Sequence, residues 1–251
     1  MTDQEIAVKN EIIRVVVGST VHGLAIEGTD DRDEMGVCIP PPEYVIGLKK
    51  FEQWTYRTQP NGVRSGPGDL DLTVYSLQKY VRLAAQGNPS ILTLLFVPAK
   101  YKTISSDLGE QLLELAPAIV SKQAGHRFLG YMRAQRDRML GRRGQARLPN
   151  RPELVEKYGF DTKYAGHLIR LGLQGVELLL TGRFSLPMSI EERYAVRGIR
   201  EGKLSQEGVI EWAGKLEAHL ESLIETSDLP EHPDYETINC ALINMYQSHW
   251  R

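Results

Sequence analysis

A short β-branched run that stops at glycine constrains the fold more than any other feature of the sequence. The segment from Ile12 to Val17 is almost entirely apolar and is followed directly by Gly18 and Ser19. A run of this length and composition is typical of a buried strand. Glycine at its end lets the backbone come close to a ligand, because glycine has no Cβ. The sequence therefore predicts a sheet in which one buried strand leads into a tight turn.

Aspartates follow this turn at positions 30, 31 and 33. On a strand, Asp31 and Asp33 point to one face because they are two residues apart. With no basic residue on that face, the pair favours a bound cation, and Mg2+ with phosphate oxygens satisfies it. Free N–H groups and the Ser19 hydroxyl can hold a phosphate. Asp30 is an alternative ligand, although Asp31 and Asp33 keep the two-residue spacing.

Three common ligand-binding loops do not fit the spacing. No Gly-Lys-Ser/Thr follows the glycines, which excludes a P-loop. Gly18 and Gly23 lack the spacing of a dinucleotide-binding fingerprint. With Asp31 as position 1 of a calcium loop, position 12 is Pro42 and not the required glutamate.

The chain changes character after its first hundred residues. Further strands are predicted at Gly36–Ile39, Phe51–Arg57 and Leu70–Tyr75, and helices at Leu77–Ala85, Asp107 to about Val120, Asp161–Thr181, from Ser189, around 209–223 and Asp234–Trp250. Strands first and helices later favour an α/β (α+β) fold. We expect a catalytic domain with a mixed sheet over residues 1–105, followed by a mostly helical domain over 106–251.

Positive charge is concentrated in one window of the chain. Residues 127–151 contain eight arginines and one acid, a charge of +7 in a chain whose net charge is −2. Such asymmetry is typical of a polyanion-binding surface, and a solvated helix face with its loop is the alternative.

Composition limits the class of protein. The chain is 41% hydrophobic and 25% charged, a globular balance, and has no apolar run long enough to cross a membrane. No signal peptide is recognised at the start, and two cysteines make no disulfide framework. These features predict a cytoplasmic protein with no membrane association.

The motifs carry a family resemblance. The order Gly18-Ser19-x3-Gly23, Thr29-Asp30-Asp31-Arg32-Asp33 and then an apolar strand resembles the DNA polymerase β-type nucleotidyltransferase superfamily. Leu70-Asp71-Leu72, Leu77-Gln78-Lys79 and Asn88-Pro89 make it most similar to the predicted nucleotidyltransferases associated with RNA ligases. Lys163 and Arg170 resemble the helical lysine and arginine of that group.

The resemblance implies a polymerase-β-like catalytic head with specific roles for its residues. Gly18 and Ser19 would bind the nucleoside triphosphate, and Lys163 and Arg170 would bind its phosphates. The catalytic metal ligands would be Asp31, Asp33 and Asp71, holding two Mg2+ ions, with Mn2+ as an alternative. Asp69 competes with Asp71, which is preferred because leucines flank it on both sides.

The implied activity is transfer of a nucleoside monophosphate from an NTP to an acceptor hydroxyl, with release of pyrophosphate. An RNA or tRNA end, bound through the arginine-rich segment 127–151, is the first choice of acceptor. A protein hydroxyl is the second. The alternative is a catalytically silent nucleotide- or RNA-binding module of the same fold.

Overall fold

The computed structural model has an α+β fold built on a five-stranded mixed sheet. It describes residues 1–26, 28, 30–60, 62–142 and 151–251. Thr29 of the aspartate motif, and Arg143 and Arg147 of the basic window, lie outside the described residues.

Five strands form the sheet in the order β3-β4-β2-β1-β5. They are β1 (Glu11–Val16), β2 (Arg32–Cys38), β3 (Gln53–Arg57), β4 (Leu70–Ser76) and β5 (Lys102–Ser105). The first four match predicted strands, but β2 begins four residues before the predicted Gly36. This earlier start places Asp33 inside the strand.

The sheet is mixed because its two middle strands run parallel. β2 and β4 pair in parallel, while all other neighbours are antiparallel. The first helix, α1 (Asp3–Lys9), packs on one face of this sheet, where Leu72 and Val74 belong to a buried cluster. Odd-numbered residues of β4 therefore face the opposite side.

The other helices include all the predicted ones, one of them broken in two, and several that were not predicted. They are α2 (Gly18–Val21), α3 (Leu77–Ala85), α4 (Pro89–Leu92), α5 (Asp107–Glu114), α6 (Ala116–Ile119), α7 (Lys122–Met139), α8 (Pro152–Tyr158), α9 (Thr162–Thr181), α10 (Ile190–Arg200), α11 (Gln206–Thr226) and α12 (Tyr235–His249). The helix predicted from Asp107 to Val120 is broken after Glu114, because Pro117 lacks an N–H and clashes with the preceding turn. The long α7 was not predicted.

The chain divides into two compact units. The first contains residues 1–86, 90–120 and 233–251, and the second contains 87–89 and 121–232. The sheet and α12 belong to the first unit, and α7 to α11 belong to the second. The domain boundary predicted after residue 105 concerns which segments fold independently, and it stays a prediction. Over the described ranges, every helix is too short or too polar to cross a bilayer.

Candidate active site

Three carboxylates meet on one side of the sheet. Asp31, Asp33 and Asp71 each offer an oxygen, and these oxygens lie within 4.8 Å of one another. All three residues are partly buried. Within the described part of the chain, no other group of three His, Cys, Asp or Glu side chains could hold a metal ion.

The register of the sheet brings the carboxylates together. Asp33 of β2 lies directly beside Asp71 of β4 in the parallel pair. Asp31 comes one residue before β2 begins. Both Asp33 and Asp71 point away from the α1 face, because side chains alternate along a strand. The two-residue spacing in one strand and the register of the next are therefore sufficient to build the cluster.

Position 18 must be glycine because its backbone lies very close to the Asp33 side chain. Its φ is +64°, a conformation that side chains rarely adopt, and a Cβ there would lie 2.0 Å from Asp33 Oδ2. The Val17 N–H also donates to the Asp33 carbonyl at 2.9 Å. Ser19 lies in the short helix α2, and its carbonyl accepts from the Leu24 N–H at 2.8 Å. Gly18, which we predicted to let the backbone come close to a bound molecule, therefore also lies against Asp33, a candidate metal-binding residue.

The two competing aspartates instead stabilise loops. Asp30 Oδ2 accepts a hydrogen bond from the Ile26 N–H at 2.7 Å. Asp69 accepts from the Gly66 N–H and from the Thr58 hydroxyl, both at 2.8 Å. These bonds, with the backbone one largest, hold the pKa of Asp69 below its ordinary value. Neither residue belongs to the three-carboxylate group.

Arg57 and Ser65 contact the cluster and were not found from the sequence. Arg57 Nε donates to Asp71 Oδ1 at 2.8 Å, and the Ser65 hydroxyl donates to Asp71 Oδ2 at 2.8 Å. A second nitrogen of Arg57 donates to Ser65 Oγ at 2.7 Å. The bond to Asp71 raises the pKa of Arg57 above its ordinary value. The expectation that no basic group shares this face was therefore wrong.

The donor set fits a divalent cation. Hard cations such as Mg2+ and Mn2+ prefer carboxylate oxygens, and three such groups at this separation can share one or two ions. A guanidinium already neutralises one of the three carboxylates through the Arg57–Asp71 pair. The cluster therefore favours the binding of a positively charged group or ion.

In the second unit, Lys163 and Arg170 lie on α9. They share a helix face with His167 and Gln174, as their spacing predicts. Arg170 Nη1 donates to Gln174 Oε1 at 3.3 Å. Burial lowers the pKa of Arg170 to about 10. The guanidinium thus remains charged near neutral pH in poorly solvated surroundings, where an anionic partner is most favourable.

Cations from three elements surround His167. Burial is the main cause that holds the pKa of His167 well below its ordinary value, followed by the charges of Arg170, Lys163, Arg200 and Arg151. Arg200 comes from the end of α10 and Arg151 precedes α8. Arg151 also pairs with the buried Asp161 at 3.2 Å, so one of the four positive charges is balanced within the unit.

Comparisons with known proteins identify one family model and one similar solved structure. The sequence matches the model of the RNA repair pathway DNA polymerase beta family over residues 4–244. Among solved structures, a nucleotidyltransferase-like protein from Exiguobacterium sibiricum 255-15 is similar at 12% identity and a TM-score of 0.30. That alignment covers 89% of this chain and 71% of the other. A search of curated proteins finds no match.

Proposed function

Because this chain belongs to the RNA repair pathway DNA polymerase beta family, we propose that it transfers a nucleoside monophosphate from an NTP to an RNA end. The protein is a nucleotidyltransferase. The proposal concerns its metal, its site residues and its acceptor. The meeting of Asp31, Asp33 and Asp71 is the observation that supports it most.

Asp31, Asp33 and Asp71 would hold two divalent cations, Mg2+ or Mn2+. When bound, such ions neutralise charge on the phosphates and polarise the reacting oxygens. The carboxylates fix where that charge lies, and the sheet fixes the carboxylates through the register of β2 and β4. The main contribution of the protein would be to position groups that stabilise charge.

The proposed reaction is an in-line displacement at the α-phosphorus of the NTP. The acceptor hydroxyl oxygen forms a bond to the α-phosphorus, and the bond from that phosphorus to the bridging oxygen breaks. Pyrophosphate leaves with the electron pair, and the hydroxyl proton passes to Asp71 as general base. Asp71 can take that proton only if its contacts with Arg57 and Ser65 open. Arg57 would then be free to pair with phosphate oxygens.

The nucleotide would be bound through its phosphates. Gly18 and Ser19 supply backbone and hydroxyl groups beside Asp33 in the first unit. Lys163 and Arg170, on α9 of the second unit, are proposed separately to bind phosphate, with the cations near His167 in support. Arginine suits this role because its planar fork pairs with two phosphate oxygens.

The RNA acceptor is favoured by the basic window and by the family's pathway. A hydroxyl on a protein remains the second candidate acceptor. Both acceptors can be tested in one assay, since each would retain label from the α-phosphate of the NTP.

The test is transfer of label from α-32P NTPs, with Mg2+, to bulk RNA and separately to a protein fraction. We expect labelled RNA and stoichiometric pyrophosphate from the unaltered protein. Asp33→Asn and Asp71→Asn should each reduce the rate at least about 100-fold, since each removes charge from the proposed metal site. Asp107→Asn, which changes an exposed aspartate at the start of α5, is the matched control and should keep full activity.

Two outcomes would contradict the proposal. Label found only on protein would replace RNA with a protein acceptor. No pyrophosphate with any acceptor, together with equal NTP binding by all variants, would favour the silent nucleotide- or RNA-binding module.

A further inference from the structure

The arginine-rich window is not one uniform surface. Arg133 and Arg136, on one side of α7, form ion pairs with Glu217 and Glu221 of α11 at distances of 2.6 to 3.6 Å. These two arginines hold helices together. Arg127 lies elsewhere on the surface of α7, so the arginines of the window do not all have the same role.

A groove follows another face of α7. It is a half-open depression of about 420 Å3 on the surface of α7, and its lining includes His126, Arg127, Gly130, Tyr131, Gln135 and Arg138. This volume falls in the range of small-ligand sites. None of the described lining residues carries a carboxylate. The α7 groove therefore combines a basic lining with one aromatic ring and one amide.

Tyr131 is held in place at the middle of the groove. Its hydroxyl accepts a hydrogen bond from Asn88 Nδ2 at 3.1 Å. The Asn88 loop approaches α7 closely, because Gly87 has a φ of +76° and a Cβ there would lie 2.4 Å from Ala124 Cα. The ring is thus fixed by a contact from outside its own helix.

Gln135 lines the same groove, and its side-chain oxygen would meet a ligand once the amide turns towards the groove. Its Oε1 is buried and accepts no hydrogen bond from any described residue. A buried polar atom without a partner is unfavourable, and a ligand donor is one way to satisfy it. The exocyclic amino groups of adenine, cytosine and guanine are such donors.

One arginine of the groove, Arg138, also lies near a second aromatic ring, that of Tyr164. The Arg138 guanidinium lies 6.0 Å from the centre of the Tyr164 ring, and the Arg151 guanidinium lies 5.1 Å from it. Tyr164 begins the same helix, α9, that carries the cation-surrounded His167. A strand lying in the groove would therefore lead towards the cationic cluster within this unit.

We propose that the α7 groove binds an unpaired segment of the RNA acceptor, with Arg127 and Arg138 on its phosphates and a base against Tyr131 and Gln135. This inference rests on the proposed RNA acceptor. Single strands are held in this way by basic grooves with aromatic rings, because every base has a face that can stack. A duplex hides its bases in the stack and could use only the arginines.

The test is binding of a fluorescein-labelled, mixed-sequence 12-nucleotide RNA to the full-length protein, followed by anisotropy without Mg2+ or NTP. Arg127→Glu with Arg138→Glu should weaken binding at least about tenfold and flatten its salt dependence by about two phosphate contacts. The charge-matched control is Arg183→Glu with Arg251→Glu, two exposed arginines that lie outside both the basic window and the groove. Its binding should change less than about twofold.

Uncharged substitutions at two positions distinguish binding in the groove from nonspecific electrostatic attraction of RNA. Tyr131→Leu should weaken binding at least about fivefold, and Tyr131→Phe, which keeps the ring, should stay near the unaltered affinity. Gly130→Leu should weaken binding while raising thermal stability. A Cβ at position 130 would meet no atom within 4 Å, and leucine has a higher helix propensity than glycine. A loss of binding with a gain in stability cannot come from unfolding.

Several results would overturn the inference. These are no RNA binding by the unaltered protein, equal losses in both double variants, or tighter binding of a 12-base-pair RNA duplex. Poly-glutamate bound as tightly as RNA, and weakened equally by the groove variants, would assign the groove to an acidic protein segment. Because the assay contains no NTP or metal, its outcome is independent of whether nucleotidyl transfer is observed.

Discussion

Asp71 already has a cation beside it in this structure, and that cation is Arg57. The guanidinium and the Ser65 hydroxyl each contact one oxygen of the carboxylate. Arg57 also lies opposite Asp71 in the antiparallel β3–β4 pair, so the register of the sheet maintains the contact. A metal ion that binds Asp71 must share or replace this charge.

Removing this competitor should strengthen metal binding. For Arg57→Ala we expect the dissociation constant of Mn2+, measured by electron paramagnetic resonance of free Mn2+, to fall by about two- to fivefold. This is the scale of an exposed ion pair. Arg82→Ala is the control, because Arg82 is an exposed arginine of the same unit that pairs with Glu52. Weaker Mn2+ binding by Arg57→Ala would mean that Arg57 instead holds Asp71 ready for the metal.

The sequence predicted the carboxylates but not their cationic neighbour, for a physical reason. Asp31 and Asp33 are related by the period of a strand, and that period is visible in the sequence. Arg57 meets Asp71 across a long loop, and its partner depends on the register of two strands. Register is set by tertiary packing and by turn geometry, which a single sequence does not display.

Among the elements, α9 carries the histidine whose pKa is most affected by neighbouring cations. Its polar face carries Lys163, His167 and Arg170, and Arg151 and Arg200 approach from neighbouring elements. Desolvation and neighbouring cations lower the pKa of the His167 imidazole well below its ordinary value. Its titration therefore reports the local potential.

An anion bound at this face should raise the pKa of His167. We expect the imidazole to titrate well below pH 6.5 in the free protein and at higher pH with inorganic tripolyphosphate, because the anion offsets the cations that oppose protonation. By linkage, tripolyphosphate should bind more tightly as the pH falls through this range. Side-chain NMR of the histidine ring measures both effects.

Lys163→Met with Arg170→Met should abolish the effect of tripolyphosphate on His167. An unchanged His167 titration in the presence of tripolyphosphate would contradict the assignment of Lys163 and Arg170 to phosphate binding.

The helices were predictable where local signals mark them, and the exceptions depend on packing. Ser189 and Glu192 form the capping box that their spacing predicts. The long helix α7 escaped prediction because its apolar residues face two helices, α9 and α11, and arginines, two of which pair with α11, interrupt the apolar pattern. Its apolar pattern becomes understandable only when both partners are known.

In the whole molecule, the end of the chain returns to the first unit. Tyr246 of α12 is buried, and its hydroxyl accepts a hydrogen bond from the Gln78 N–H at 3.2 Å. That N–H is in the first turn of α3, where backbone donors lack partners within the helix. Trp250 donates to the Pro40 carbonyl at 3.0 Å. The last helix thus completes the layer beside the strand that carries Asp71.

These contacts predict that the last helix stabilises the first unit. Tyr246→Ala should lower the free energy of opening of β4 and α3 by about 3 kcal/mol, because it leaves a cavity and an unpaired Gln78 N–H. Tyr246→Phe should cost about 1 kcal/mol, the value of the hydrogen bond alone. Hydrogen exchange of the β4 and α3 amides measures both changes. Tyr235→Ala, on the same helix but half-exposed, should have little effect. If Tyr246→Ala left these amides as protected as before, α12 would merely lie against a unit that is stable without it.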